Sequence, residues 1–541
     1  MYKFLVIILL PLSLIGSPAL ATKSTTDFEE LLAGLTTKKF DEKAIIISQI
    51  EASGHEKSLS VLEHLLEGNV YYIKENKKVV FANVVKKEAT LTEILSNESL
   101  GTLPKKKVKK VGINNNLRGA LKASIARLSI NNPDPKVRKQ AVVKMLEDLD
   151  PDTIVIIQER LETEENSDII EELNIALAIN DLSLPDHDTI ITAIETLSQS
   201  LHPQVRNALT KLKTEIAKQP QNSQATEKIT AIDDSLHYIG TSLSFYKQVE
   251  NVFFGVSLGS VLLLAAIGLA ITFGVMGVIN MAHGEMLMLG AYTTYIIQQA
   301  FPQLLQYSLL ISIPVAFVFT ALVGIAIERG VIRHMYGRPL ETLLATFGIS
   351  LILQQAVRTL ISPQNRAVAT PDFMSGSLQI NPALSLTYNR LYIIIFAFMV
   401  LAGLILLLKK TSFGLQIRAV TQNRSMAKAM GIRTDWVDAF TFGLGSGIAG
   451  MAGVALSQLT NVGPNLGQAY IIDSFMVVVF GGVGNLWGTL FGAMTLGIAN
   501  KFMEPFTGAV IAKILILVFI ILFIQKKPRG MFAMKGRSAE S

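Results

Sequence analysis

The chain has 541 residues, half of them apolar and 17% charged, with a formal net charge of +6 and no cysteine. That composition excludes a single small soluble domain, and with it disulfides, thiol catalysis and cysteine-based zinc sites. The average conceals a split between residues 22–248, rich in Lys, Glu, Asp and Asn, and residues 250–525, where long stretches carry hardly any charge.

The chain opens on Met1-Tyr2-Lys3, an apolar run from Phe4 to Ile15, and then Gly16-Ser17-Pro18-Ala19-Leu20-Ala21. A positive start, a short apolar core and a small-x-small end predict a secretory signal over 1–21, cleaved after Ala21. An uncleaved anchor is the alternative. In either case the next domain, 22–247, is expected outside the cytoplasm.

That domain shows apolar residues at helical spacing over 41–66 and 117–214. One stretch runs Asn132-Pro133-Asp134-Pro135-Lys136-Val137-Arg138, continues through Ala141 to Leu146, and has a weaker echo from His202 to Leu209. An Asp/Pro cap followed by a narrow apolar stripe resembles HEAT-type helical repeats, arrays that usually bind a protein partner. A short irregular helical bundle is the competing reading. The run Lys105–Lys110 reads as a solvated linker, and Gln, Thr and Ser make a second linker of 220–230.

From 248 to 541 the sequence reads as a transmembrane domain. A spanning helix needs about 20 apolar residues. Candidate spans are 253–277, 284–300, 308–328, 340–361, 391–408, 436–458, 470–483, 487–503 and 508–525. The expected fold class is therefore all-α: about nine spans behind an exported helical, HEAT-like domain. The second, seventh and eighth spans are short, which suggests broken or re-entrant helices. Small residues that let helices approach recur as Gly255/Gly259, Gly443/Gly447 and the register Gly484, Gly488, Gly492.

Placing 22–247 outside puts Arg329, Arg333 and Arg338 inside, with Lys409, Lys410, Arg418, Arg424, Lys428, Arg433 and the C-terminal Lys526, Lys527 and Arg529. The loops 302–307 and 460–470, then outside, hold no Lys or Arg. Signal and positive-inside rule thus agree on a multi-pass protein of the bacterial inner membrane with its C-terminus in the cytoplasm.

No phosphate-binding G-x-x-x-x-G-K-[ST], H-E-x-x-H or G-x-S-x-G motif occurs, and the seven histidines do not cluster. The informative residues are polar ones in apolar surroundings. After Gly274-Val275-Met276-Gly277 come Asn280, His283 and Glu285. Non-helical backbone at membrane depth is tolerated only against protein or a wet cavity, and ionisable groups there are functional candidates. An ordinary cytoplasmic turn is the bland alternative. A second broken segment carries Asp473 and Ser474, then Gly481-Gly482-Val483-Gly484-Asn485. Asp473 at the outer interface is the alternative there. The longest inside loop holds an amphipathic basic segment, 414–432, whose small residues Ala419, Ala427 and Gly431 suit docking on another protein. A basic helix resting on anionic lipid is its alternative.

Five motifs in order carry a resemblance: Asn280-Met281-Ala282-His283-Gly284-Glu285; Glu328-Arg329 with Arg338-Pro339-Leu340; Gly414…Arg418-Ala419…Asn423…Ala427…Gly431-Ile432; Gly481-Gly482-Val483-Gly484; and Lys527-Pro528-Arg529-Gly530-Met531-Phe532. Together, over about 250–535, they resemble the permeases of branched-chain amino acid-type ABC importers. The run Leu264–Gly277 and the long exported domain look like the urea transporter permease within that family.

The resemblance implies a complex with a second, related permease, two cytoplasmic ATPases and an exported solute-binding protein. It implies no cofactor on this chain, no catalysis, and ATP on the partner subunits. Gly414, Arg418, Ala419, Asn423, Ala427 and Gly431 match the family's ATPase-coupling segment. For the path, Thr272, Asn280, Ser474 and Asn485 offer donors and acceptors suited to urea, with His283, Glu285 and Asp473 as further candidates. Another amino acid importer permease and a passive solute channel are the rival functions; a secondary transporter or a membrane enzyme fits less well.

Overall fold

A computed structural model describes residues 28–85, 88–218 and 222–532; the predicted signal lies outside the described residues. The chain divides into two compact units, Met1–Thr241 and Ser242–Ser541.

The first unit begins with helices α1 (Phe40–Ala52) and α2 (Ser58–Glu67). Five antiparallel strands follow: β1 (Val70–Ile73), β2 (Val79–Val85), β3 (Glu88–Glu93), β4 (Ser99–Pro104) and β5 (Val108–Lys110), in the order β4-β3-β2-β1-β5. The hairpin turns carry Lys77 and Asn97 in the left-handed region, at φ of 56° and 57°. Val80, Ala82, Ala89, Leu91 and Val108 bury one side of the sheet. An all-helical exported domain is thus corrected. The linker assigned to Lys105–Lys110 is corrected too: Lys105–Lys107 is a 3-10 turn, and Val108–Lys110 pairs with β1, where Tyr72 faces Lys109. Alternation is weak in so short and lysine-rich a strand, which hides it from a periodicity reading.

Six short helices complete the unit: α3 (Asn115–Ser129), α4 (Pro135–Met145), α5 (Pro151–Thr163), α6 (Ser167–Asp181), α7 (His187–Leu197) and α8 (Pro203–Ile216). Each of the first five is opened by an Asn or Asp side chain, as where Asp134 accepts from Lys136 N at 2.9 Å and Asp150 from Thr153 N at 2.6 Å. Proline occupies the first turn of α4, α5 and α8, where a missing N–H costs nothing. The second predicted linker is mostly helix: residues 223–230 are the first turns of α9 (Ser223–Met276).

In the second unit six helices are long and apolar enough to cross a membrane. They are α9, α11 (Ser308–Gly330), α12 (Pro339–Leu360), α13 (Tyr388–Lys410), α16 (Thr434–Ser457) and α19 (Ala509–Lys526). The three spans expected to be short are also helices: α10 (His283–Ala300), α17 (Leu466–Gly481) and α18 (Leu486–Thr507). Two small helices, α14 (Ser412–Gln422) and α15 (Arg424–Ala429), lie between α13 and α16. A hairpin of β6 (Ser377–Asn381) and β7 (Leu384–Thr387) precedes α13.

Glycine sets the packing. Helix α16 is buried along most of its length and presents Gly443, Gly447, Gly450 and Gly453 to its neighbours. A methyl at Gly443 would lie 2.7 Å from Ile325 of α11, and one at Gly453 would lie 2.8 Å from the Ala291 nitrogen of α10. Gly255 and Gly259 of α9 face Ile498 and Met494 of α18 in the same way. The register 484–488–492 is only partly a helix face. Gly488 and Gly492 pack on Gly481 of α17, whereas Gly484, at φ +80°, sits in the turn before α18 against Gly274. A turn that reverses the chain so tightly needs left-handed backbone there.

Candidate functional site

Helix α9 ends at Met276, and Gly277 turns the chain at φ 67°. The next five residues do not remain at that end. His283 Nε2 bonds the Ala265 carbonyl at 2.9 Å, eleven residues before the end of α9. At 1.5 Å per residue that carbonyl lies roughly 16 Å along α9 from its end, so the segment returns beside α9 before α10 begins. Met281 N donates to Thr346 Oγ1 of α12 at 3.1 Å, well inside that helix. The bland reading of 277–285 as an end-of-helix turn is therefore displaced: the backbone breaks in the middle of the helix bundle, buried against protein as such backbone must be.

Three polar side chains of this segment are each at most 1% exposed, Asn280, His283 and Glu285, and they turn to different neighbours: His283 to α9 and Glu285 to α12. Asn280 Oδ1 accepts from Ala282 N at 3.0 Å, which fixes the break, while its Nδ2 has no partner. His283 keeps Nδ1 free. Glu285 Oε1 accepts from Ser350 Oγ at 2.9 Å and Gln354 Nε2 at 2.7 Å, and its Oε2 has no partner. Half-met polar groups in a low-dielectric interior cost on the order of 1–3 kcal/mol each. His283 fastens α10 to α9, and Glu285 fastens it to α12.

The α12 partners were missed. Their signal was present, since Thr342, Thr346, Ser350 and Gln354 recur every fourth residue in an otherwise apolar helix, and all four are buried. Other proposed path residues turn elsewhere. Thr272 Oγ1 bonds the Gly268 and Leu269 carbonyls of its own helix at 3.2 and 3.1 Å, and Ser474 Oγ bonds the Tyr470 carbonyl at 2.8 Å. Asn485 is a cap: its Oδ1 accepts from Trp487 N and Gly488 N at 3.0 and 3.1 Å, and its Nδ2 donates to Phe532 O at 3.3 Å. That turn is further closed by Met531 N on Phe480 O at 2.9 Å. Asp473 pairs with Lys513 of α19 at 2.9 Å. Asn280, His283 and Glu285 thus share one buried segment without a bond among them, and Thr272, Ser474, Asp473 and Asn485 lie on other segments.

The segment 414–432 is the pair α14–α15. Thr411 caps α14 through Gly414 N at 3.1 Å, and Asn423 caps α15 through Met426 N at 2.9 Å. Gly414 lies against the Leu408 backbone, where a side chain has no room, and Arg418 bonds the Leu408 carbonyl. Gly431 ends the segment at φ +87°, its neighbour Ile432 N donating to Ala427 O at 3.1 Å, as a left-handed C-terminal glycine does. Ala427, expected on a docking face, is 4% exposed and packs inward; Ala419 is half-buried. Leu415, Met426 and Met430 are the large apolar residues turned out, beside exposed Gln416, Gln422, Ser425 and Lys428. Arg424 reaches back to bond buried Asp438 of α16 and stacks 4.6 Å over Tyr336. A cavity of about 390 Å³ lies beneath α14, lined by Arg418, Thr421, Leu408, Gly274, Gly484 and Trp487. The segment is fastened to its own unit by one face and offers a methionine- and leucine-bearing face outward. No group of acidic, histidine or cysteine side chains suited to a metal exists among the described residues.

A polytopic helical membrane protein with a buried polar break and a fastened amphipathic segment at one end has the build of a transport subunit. The family described as branched-chain amino acid transport system / permease component matches residues 251–524, which is half of the chain. The high-affinity branched-chain amino acid transport system permease protein LivH of Escherichia coli is 30% identical over 299 residues, 53% of this chain and 96% of its own length. BraD of Pseudomonas aeruginosa, named as the same kind of permease protein, is 28% identical over 294 residues, 53% of this chain and 95% of its own. The ribose import permease protein RbsC of Bacillus subtilis is 33% identical over 142 residues, 24% of this chain and 44% of its own. No solved structure matches. The chain belongs to the branched-chain amino acid transport permease family, and it is an integral membrane protein.

Proposed function

We propose that the second unit forms part of the membrane path of an ATP-driven importer, with a branched-chain amino acid as the solute. The family match over 251–524, nearly the whole of that unit, carries the reading. The relatives' names favour it over urea. Urea keeps one supporting observation, the neutral amide and hydroxyl groups of Asn280, Ser350 and Gln354 around the break, which suit a neutral solute. Energy enters, in this reading, where α14–α15 meets a cytoplasmic ATPase pair; a second permease and an exported binding protein complete the complex. The first unit lies outside the cytoplasm, and its capped helices α3–α7, followed by α8, support an array that engages a protein partner.

The complex, purified with its partners and placed in vesicles, should take up labelled leucine only when ATP is supplied. Uptake of urea but not leucine would reverse the order of the two solutes. Solute flux without ATP would favour a passive channel and overturn the importer. Protease added outside cells should release the first unit; protection until the inner face is opened would invert the orientation.

A further inference from the structure

A cavity of about 260 Å³ lies at the end of the second unit opposite α14–α15, among α9, α13, α16, α17, α18 and α19. One wall is aliphatic, with Leu258, Leu262, Leu456 and Ile516. The rest is charged. Asp473 is paired with Lys513 at 2.9 Å, and Glu504 is paired with Lys501 on its own helix. Glu504 also acts on Arg390 through space, without a hydrogen bond to it. Arg390, at the start of α13, is the remaining cation of the lining. It is half-buried, and its guanidinium stacks 4.8 Å over Phe254; among the described residues it has no hydrogen-bonded acceptor. A guanidinium withdrawn from water with its fork of donors unused is costly, and a carboxylate is the planar anion that matches it in two bonds.

We propose that this cavity binds a small aliphatic carboxylate, the carboxylate on Arg390 and the hydrocarbon against the leucine wall. An α-amino acid with a branched side chain has that chemistry, so the site deepens the amino acid reading and rests on it. Urea has neither part. Asp473 and Glu504, each already met by a lysine, make the ammonium group the lesser determinant.

The test uses the full chain with its co-purifying subunits in lipid nanodiscs, without the exported binding protein. Saturation-transfer NMR would compare leucine, 4-methylpentanoate and isoamylamine. Leucine and the carboxylate should bind, and the amine should not. Arg390→Gln should weaken leucine binding tenfold or more, and Arg390→Lys, which keeps the charge but not the fork, by several-fold. If Arg390→Gln fails to assemble, Arg390→Lys decides. Unchanged leucine affinity in an assembled Arg390 variant overturns the site. So does equal binding of the amine. A phospholipid retained by the wild type, lost from Arg390→Gln and not displaced by leucine, would show that a headgroup phosphate occupies the cavity and also overturns it. The amino acid reading stands or falls separately, on ATP-driven leucine uptake by the wild type.

Discussion

In the first unit Glu164 meets two arginines and a backbone amide: Arg138 at 2.8 Å on each oxygen, Arg160 at 2.7 and 3.0 Å, and Asn166 N at 3.2 Å. In the membrane unit Glu285 meets only Ser350 and Gln354, on one oxygen, and leaves the other without a partner. Both carboxylates are buried. The first is saturated by fixed opposite charge and ties α4, α5 and the start of α6 together. The second is held by neutral groups that can rearrange. A carboxylate with every lone pair met reads as structure, and one half-met in the middle of a bundle reads as a moving part.

The same contrast separates the two glycine-broken segments. Both pair glycine with asparagine. At 277–285 the asparagine has a free amide and lies deep among helices. At 481–485 the asparagine is spent on a helix cap and the C-terminal tail.

The largest effect expected is at Glu164. Hydrogen bonds from Arg138, then burial working against them and Arg160 with them, bring its pKa down from 4.5 to about 2. Because the folded value is the lower one, the stabilisation is complete above pH 4.5 and is lost as pH falls through 2. A shift of that size is worth about 3 kcal/mol. Glu164→Gln should destabilise the first unit by about that much at neutral pH and flatten its acid dependence between 4.5 and 2. Urea unfolding followed by a probe in that unit measures both; an unchanged midpoint would remove the contrast with Glu285.

Next comes Ala427→Arg, which forces bulk and charge into a filled site and should cost roughly 1–3 kcal/mol. ATPase association and uptake should fall together, whereas Met430→Arg, on the outward face, should lower association with the segment still in place by cysteine cross-linking. Equal behaviour of the two would erase the inward and outward faces assigned here.

Glu285→Ala should cut uptake about tenfold, on the order of 1.4 kcal/mol in the barrier, at unchanged membrane level. Wild-type uptake would make Glu285 as structural as Glu164. Gly431→Val should follow at about 1 kcal/mol, from left-handed backbone alone, because a side chain there meets nothing within 4 Å; normal ATPase stimulation in that variant would show that the segment's end need not be fixed. Smallest is Asn485→Ala, a lost cap of about 1 kcal/mol that should lower thermal stability slightly and leave uptake within twofold. A larger loss of uptake would return Asn485 to the path.

The sequence by itself determined what short-range physics decides: where apolar helices run, that Asp134 opens one of them, and that glycines interrupt 274–284. Each rests on neighbours within a few residues, where spacing and side-chain type leave few options. Only the tertiary structure decided the depth of the break, the four-residue polar stripe of α12 that meets it, the strand made from lysines, the inward turn of Ala427 and the lack of a hydrogen-bonded acceptor for Arg390 among the described residues. Those depend on partners 18 to 69 residues away and more, such as Ala265 for His283 and Gln354 for Glu285. A polar residue in an apolar segment can be satisfied by its own helix, as Thr272 is, or by another, as Glu285 is. The choice is made by which helices pack together, because burial removes water as the third option.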